Sequence, residues 1–471
     1  MASKRDQLHA HQFMLQRVVS ALVTRESDPE QPPFRRPGTA AFGGIALAVI
    51  ALAAVGVYGI INPGGNDSWR DGESVVVEEE TGTRFVYLDG RLHPVANYTS
   101  ALLALDRSAP TSTVSRDSLV GVPRGPRIGI PDAPDALPGR DRLLGGGWTL
   151  CSQPTEDAAG AVAPSSVLMV GQSARAGDPL GDRAVLVDVP ETGERYLVLR
   201  GHRHRVAEPD RAAVGLALRA APPIRVSPAV VEAVPMGLPI GPLPVAQAGQ
   251  PSGAVPSRPD VRAGQLLAVP TSRGVQHYLA EVGHLRPITE LQLDIQLGHQ
   301  GTAAAYPGAE PEPVPLGITA ASGSTQLPAV APQEGDPPRS RPEFAQSADP
   351  ATLCLTYDPG SHVPRVTMAP EMPPVDPMSA TPRRTGDGAT LADRVVVPPG
   401  WAAVVAAAPS GDAQAGTLVV VTDLGVAHPL GDPGVLEVLG YGGVEPVRMP
   451  AGLVARVPMG SGLDHAAALR R

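Results

Sequence analysis

The stretch VYLDGRLHPVANYTS, Val86 to Ser100, runs an apolar segment into a glycine turn, then a His-Pro pair, then what reads as the start of a helix. An aspartate, an arginine and a histidine crowd that turn, so it reads either as a binding site or as a turn alone. The chain repeats it. Gly90-Arg-Leu-His93-Pro94-Val95 is followed by Gly201-His-Arg-His204-Arg205-Val206, Gly283-His-Leu-Arg286-Pro287-Ile288 and Gly425-Val-Ala-His428-Pro429-Leu430. A second element, Val-Pro-x-Gly, recurs with its proline at Pro123, Pro235, Pro315 and Pro458, each at nearly the same distance beyond its turn glycine. The spacing defines four small α/β units at 80–126, 191–238, 272–318 and 414–461. Each reads as strand, glycine turn, return strand, short helix, and a second apolar segment ending in Val-Pro-x-Gly. Glycine suits the turn because positive φ costs it nothing, and proline suits a strand start, where no amide donor is required. Arginine replaces the histidine in the third copy and the proline in the second. The turn therefore reads as scaffold, and exchanging His93 or His428 for arginine is expected to be nearly silent.

Outside the units, 127–190 and 351–413 hold further strand candidates and both cysteines of the chain, Cys151 and Cys354. They read as one β-rich central core built from separated segments. Residues 319–350 and 369–392 are rich in proline, serine and charge and read as mobile loops or linkers. The fold class is α+β, with a hydrophobic fraction of 42% and 54 prolines. The uneven intervals between the turn glycines argue against a regularly stacked solenoid.

One segment fixes the compartment. The whole run from Thr39 to Ile61 carries no charge. As a helix it spans roughly 34 Å, against a hydrocarbon core of about 30 Å. Lys4, Arg5, Arg17, Arg25, Arg35 and Arg36 precede it, whereas Arg70 is the only basic residue in the next twenty. The positive-inside rule puts 1–38 in the cytoplasm and the bulk of the chain outside. Within 1–38, Leu8, Leu15, Val18, Val19, Leu22 and Val23 fall on one helical stripe, with Ser3 as N-cap. That stripe suits either the membrane surface or a docked cytoplasmic partner. Two exported cysteines are most simply a disulfide; two buried free thiols are the other reading.

These residues resemble the EccB family, membrane components of the type VII (ESX) secretion systems of actinobacteria. RDQLHAHQFMLQRVVSALVTRE, ETGTRFVYLDGRLHPVANYTSALL, GVPRGPRIGIPDAP and WTLC (Trp148 to Cys151) carry the resemblance, which covers nearly the whole chain. It implies a single N-terminal transmembrane helix, then a periplasmic part with four repeat domains around a β-rich core and the two cysteines bridged. It also implies a large membrane complex with a motor ATPase (EccC), a channel subunit (EccD), EccE and a mycosin protease, in which the chain is a homo-oligomer.

The chemistry of catalysis is not legible. A P-loop needs a lysine in a glycine loop, and the only lysine is Lys4. No Gly-x-Ser-x-Gly elbow is present. His202 and His204 share a strand face, but spacing offers no third metal ligand. A net charge of −9 argues against nucleic acid. The sequence thus points to a non-enzymatic structural subunit of a translocon, without cofactor or metal. The alternative is a membrane-tethered protein that binds the cell envelope, such as peptidoglycan.

Overall fold

The computed structural model describes residues 3–25, 35–61, 67–156, 160–207, 210–219, 222–272, 274–346, 351–374 and 380–471. Parts of the expected cytoplasmic segment (26–34) and of the two expected loops (347–350 and 375–379) lie outside the described residues.

The chain begins with the helix Lys4–Thr24. Its cap is reciprocal: the Arg5 amide donates to the Ser3 hydroxyl at 3.2 Å and the Ser3 amide donates to the Asp6 carboxylate at 3.1 Å. Helix Arg35–Ile61 follows. Its stretch Gly38–Tyr58 is long and apolar enough to cross a membrane, and none of it is buried against the rest of the chain.

Beyond the helix the described residues build five sheets. Four have one topology. In the first, Val75–Glu78 pairs antiparallel with Arg84–Leu88, which pairs antiparallel with Arg91–Pro94; Thr111–Val114 then returns parallel beside the first strand. The second repeats this with Ala184–Val189, Glu194–Leu199, His202–Val206 and Ile224–Arg225. The third uses Leu266–Thr271, Gly274–Ala280, Leu285–Ile288 and Val314–Pro315. The fourth uses Ala403–Ala408, Thr417–Val421, Ala427–Pro429 and Val447–Pro450. The crossovers to the parallel strand carry the helices Tyr98–Leu105, Arg211–Leu218, Glu290–Gly298 and Val435–Val438.

Each first strand lies before the boundary expected from the sequence. The glycine-turn signature marks only the second and third strands of a unit, and the first strand carries no turn residue. The expected boundaries therefore assign Ala184–Val189 and Ala403–Ala408 to the core, whereas they are inner strands of units 2 and 4.

The fifth sheet orders Arg394–Val396, Val162–Met169, Trp148–Glu156, Leu353–Tyr357, Arg365–Met368 and Asp178–Pro179. Its strands come from both sides of a long insertion. At its centre Cys151 faces Cys354 across an antiparallel pair, and the two are joined as a disulfide.

Side chains alternate between the two faces of a strand, and that period fixes how the sheets stack. In unit 2, Val185, Val187, Tyr196 and Val198 join Leu150, Leu168 and Leu355 of the central sheet, whereas Leu186, Leu197 and Leu199 turn to the unit's own helix. In unit 4, Val405, Val419 and Val421 face the central sheet, and Val404 and Val420 face a core shared with unit 1. The helix of unit 3 packs on that of unit 2 through Leu291 and Ile295. Packing order is therefore 1, 4, central sheet, 2, 3. Units 1 and 3 stand at the ends and cover their remaining face with their own flanking segments, through Trp69 in unit 1 and Ala254, Val255 and Val261 in unit 3.

The proline-rich stretch 319–350, expected as a mobile loop, is a tied strap from Thr325 to Ala345. Its carbonyls accept from Leu285 (2.8 Å, at Thr325), Leu238 (2.9 Å, at Gly335), Leu291 (3.0 Å, at Arg339) and Ala184 (2.7 Å, at Glu343). Proline removes donors but keeps acceptors. The strap thereby satisfies amides on strands of units 2 and 3, beside the latch of unit 2 and at a helix start.

Candidate functional site

The repeated residues converge on one device, a latch between the third strand of a unit and the chain that follows its fourth. In unit 1 the Leu92 amide donates to the Pro123 carbonyl and the Gly125 amide donates to the Leu92 carbonyl, both at 2.9 Å. Arg203 with Pro235 and Gly237, and Ala427 with Pro458 and Gly460, repeat both bonds at 2.9 Å. The histidine closes the latch. Nδ1 of His93, His204 and His428 lies 3.1, 2.8 and 3.2 Å from the carbonyl of Pro126, Leu238 and Ser461, the residue after the Val-Pro-x-Gly glycine. The same imidazole lies against that glycine: a Cβ on Gly125, Gly237 or Gly460 would come within 3.0 Å of the ring. Histidine and glycine are thus two halves of one contact.

Unit 3 shows what happens without the histidine. There the bonds run from Leu285 to Thr325 (2.8 Å) and from Leu327 to Leu285 (2.9 Å). Thr325-Gln326-Leu327 therefore occupies the Pro-x-Gly position. Pro315 lies instead in the fourth strand, opposite Ala268, so the match at Val314-Pro315-Leu316-Gly317 is a sequence coincidence. The histidine has become Arg286, whose Nε turns to the Glu281 carboxylate at 2.6 Å, and the glycine has become Leu327. With no ring to admit, the glycine is not needed. The pairing bears on the expectation that His93 or His428 tolerates arginine, since unit 3 exchanges both partners together.

The turn glycines also divide. Gly90, Gly201 and Gly425 sit at φ +75°, +73° and +70°, where a side chain is strained. Asp89 and Arg200 precede two of them at φ +48° and +49°, which makes the two-residue turn that matches strand twist. Gly283 is not in that region; its hairpin closes through a longer loop, with the Glu281 amide donating to the His284 carbonyl at 2.9 Å.

Burial is deep. His204 and His428 are 1% and 3% exposed. Desolvation pushes both below the ordinary histidine range, against the carbonyl bond that favours the charged form. His202 directs Nδ1 to the Arg200 carbonyl at 3.2 Å, and among the described residues no three His, Cys, Asp or Glu side chains converge as a metal site.

The latches also join units. The Ser461 amide donates to the Asp132 carboxylate of the segment after unit 1 at 2.8 Å, and the Ser461 hydroxyl, with that amide, holds the carboxyl below its usual range. Arg456, 8% exposed, reaches from unit 4 to Glu232 of unit 2 at 2.6 Å. Both ties join distant parts of the chain, which no local signal announces.

The family model for "Type VII secretion system ESX-1, transport TM domain B" matches residues 1–471. The chain is 31% identical to the "ESX-1 secretion system ATPase EccB1" of Mycobacterium tuberculosis over 58% of its own length, and it spans just over half, 56%, of that relative. It is 25% identical to the "ESX-3 secretion system ATPase EccB3" of Mycolicibacterium smegmatis over 99% of its length and 90% of the relative's. Among solved structures, a chain of an intact ESX-5 inner membrane complex superimposes with a TM-score of 0.60 at 22% identity, covering 100% of this chain and 95% of that one. A chain of the EccB3 dimer from the ESX-3 core complex gives 0.59 at 23%, covering 84% and 100%. These likenesses establish a shared fold of one apolar helix and several small sheets. The expectation of a chain that is not an enzyme is corrected here: the curated relatives are named secretion system ATPases, and the absence of a P-loop lysine does not stand against that naming. With a family model matched from its first residue to its last, the chain belongs to the EccB family of type VII secretion systems.

Proposed function

We propose that the chain is a structural membrane subunit of a type VII secretion inner-membrane complex. It is anchored by Gly38–Tyr58, with residues 1–38 in the cytoplasm and the five sheets outside. The observation that carries this is the unburied apolar helix standing ahead of a body whose units are locked to one another. The basic flank before the helix supports the orientation. On this reading the turn glycines Gly90, Gly201 and Gly425 and the latch prolines Pro123, Pro235 and Pro458 are scaffold positions. The partners are further copies of the chain, the motor ATPase EccC, the channel subunit EccD, EccE and the mycosin protease. The exposed stripe of Lys4–Thr24, with Leu8, Leu15 and Leu22 each more than half exposed, docks on a cytoplasmic partner.

Purification of the full chain in mild detergent, with mass spectrometry of what comes along, tests the proposal. Recovery of a multi-subunit membrane assembly supports it; recovery of the chain alone, bound to peptidoglycan, refutes it in favour of envelope binding. A cytoplasm-only reporter fused before residue 38 should be active, and inactive after residue 70. The relatives' names extend to this chain a second reading, ATP hydrolysis, which phosphate release by the purified protein measures directly.

A further inference from the structure

The disulfide lies on the less covered face of the central sheet. Leu150, Leu168, Leu353 and Leu355 point into the large core shared with units 2 and 4. Cys151 and Cys354 point the other way, into a small cluster with Val167 and Met169, topped by partly buried Ala174, Met372 and Val396. Met372 Sδ sits 3.8 Å from Cys354 Sγ. A cavity of about 450 Å³, lined from both faces of the sheet by residues such as Thr367 and Val366 and by Gly201 of unit 2, meets this cluster at Ala174. Thr367 is directly opposite Cys354 across the strand pair, and Thr356 is two residues along on the same face. Both cysteines are fully buried, and among the described residues Met372 is the flexible one of the three partly buried side chains packed over them.

We propose that Met372 is an oxidisable gate over this disulfide. Seated, its thioether excludes a thiol from the Sγ atoms. A peroxide delivers one oxygen to Met372 Sδ, giving the sulfoxide and water, and the polar sulfoxide no longer rests on an apolar cluster. The bond is then open to a dithiol entering past the displaced side chain. One thiolate attacks a cysteine Sγ, the other Sγ leaves as thiolate, and the second thiol of the reagent resolves the mixed disulfide. Two electrons pass from reagent to protein, the reagent leaves as a disulfide, and each cysteine takes up a proton. Reduction removes the crosslink between the two halves of the central sheet.

The test is the rate at which dithiothreitol reduces the folded full chain in detergent, with cysteines alkylated at intervals and counted by mass spectrometry. Met372→Ala, and wild type pretreated with hydrogen peroxide, should be reduced at least tenfold faster than untreated wild type. Met372→Leu should match wild type and stay slow after peroxide. Hydrogen exchange in Trp148–Glu156 before reductant is added separates gating from unfolding. In Met372→Ala the rate should not rise with low urea. A wild-type rate in Met372→Ala, acceleration of Met372→Leu by peroxide equal to that of wild type, or a rate that climbs steeply with urea would each overturn the gate.

Discussion

Gly460→Ala isolates the latch from every other role of glycine. Gly460 is not at positive φ, so alanine brings no backbone strain; the atoms nearest the new Cβ belong to the His428 ring and the Val426 side chain. Two costs follow. The displaced imidazole loses its bond to the Ser461 carbonyl, a buried loss of about 1–3 kcal/mol. The overfilled contact adds about 1–3 kcal/mol. Together they give roughly 2–6 kcal/mol against unit 4. His428→Ala alone should cost about 2 kcal/mol, from the cavity and the orphaned carbonyl. In the double variant the ring is gone and the methyl keeps only its close approach to the Val426 side chain among these neighbours, so it should cost little more than His428→Ala, a favourable coupling of roughly 2 kcal/mol or more. Unit 3 carries the natural form of that exchange in Arg286 and Leu327. Urea unfolding of the full chain in detergent, read by hydrogen exchange in Ala427–Pro429 and Thr417–Val421, measures all four corners of the cycle. Additive effects would refute the latch. So would a Gly460→Ala variant within about 0.5 kcal/mol of wild type, the range of an inconsequential surface change.

Acidification should weaken units 2 and 4. His204 and His428 have folded pKa values below the unfolded value of about 6.5, so the unfolded chain takes up protons first. Stability present above that unfolded value falls as pH drops toward the folded ones, and His428→Gln should flatten the part of the slope belonging to unit 4 in urea midpoints between pH 7.5 and 5.5. Gly90→Val should destabilise unit 1 by over about 1 kcal/mol through positive φ, whereas Gly283→Val should cost less; equal losses in hydrogen exchange would contradict the turn geometry. Removing the crosslink with Cys151→Ala and Cys354→Ala should lower stability by about 2–5 kcal/mol and speed exchange in Leu353–Tyr357 before the outer units respond.

The sequence by itself determined what depends on local chemistry. A charge-free run long enough for a bilayer is visible as composition. The turns at Gly90, Gly201 and Gly425 are visible because few residue types accept positive φ, and the Ser3 N-cap because its partners are close neighbours in the chain. Tertiary structure decided the rest, since the alternation of apolar residues states that a face is covered without naming the cover. Val185, Val187, Val404 and Val405 read alike, yet one pair serves a single face and the other serves two cores. The first strand of each unit is bracketed by a hairpin partner next in sequence and a parallel partner far along the chain, and no turn residue marks it. The same distance hid the latch. Histidine and glycine recur at a near-constant spacing, which shows repetition but not contact. Only when the chain after the fourth strand lies beside the third does the missing Cβ meet the ring, and only that contact explains why Arg286 comes with Leu327.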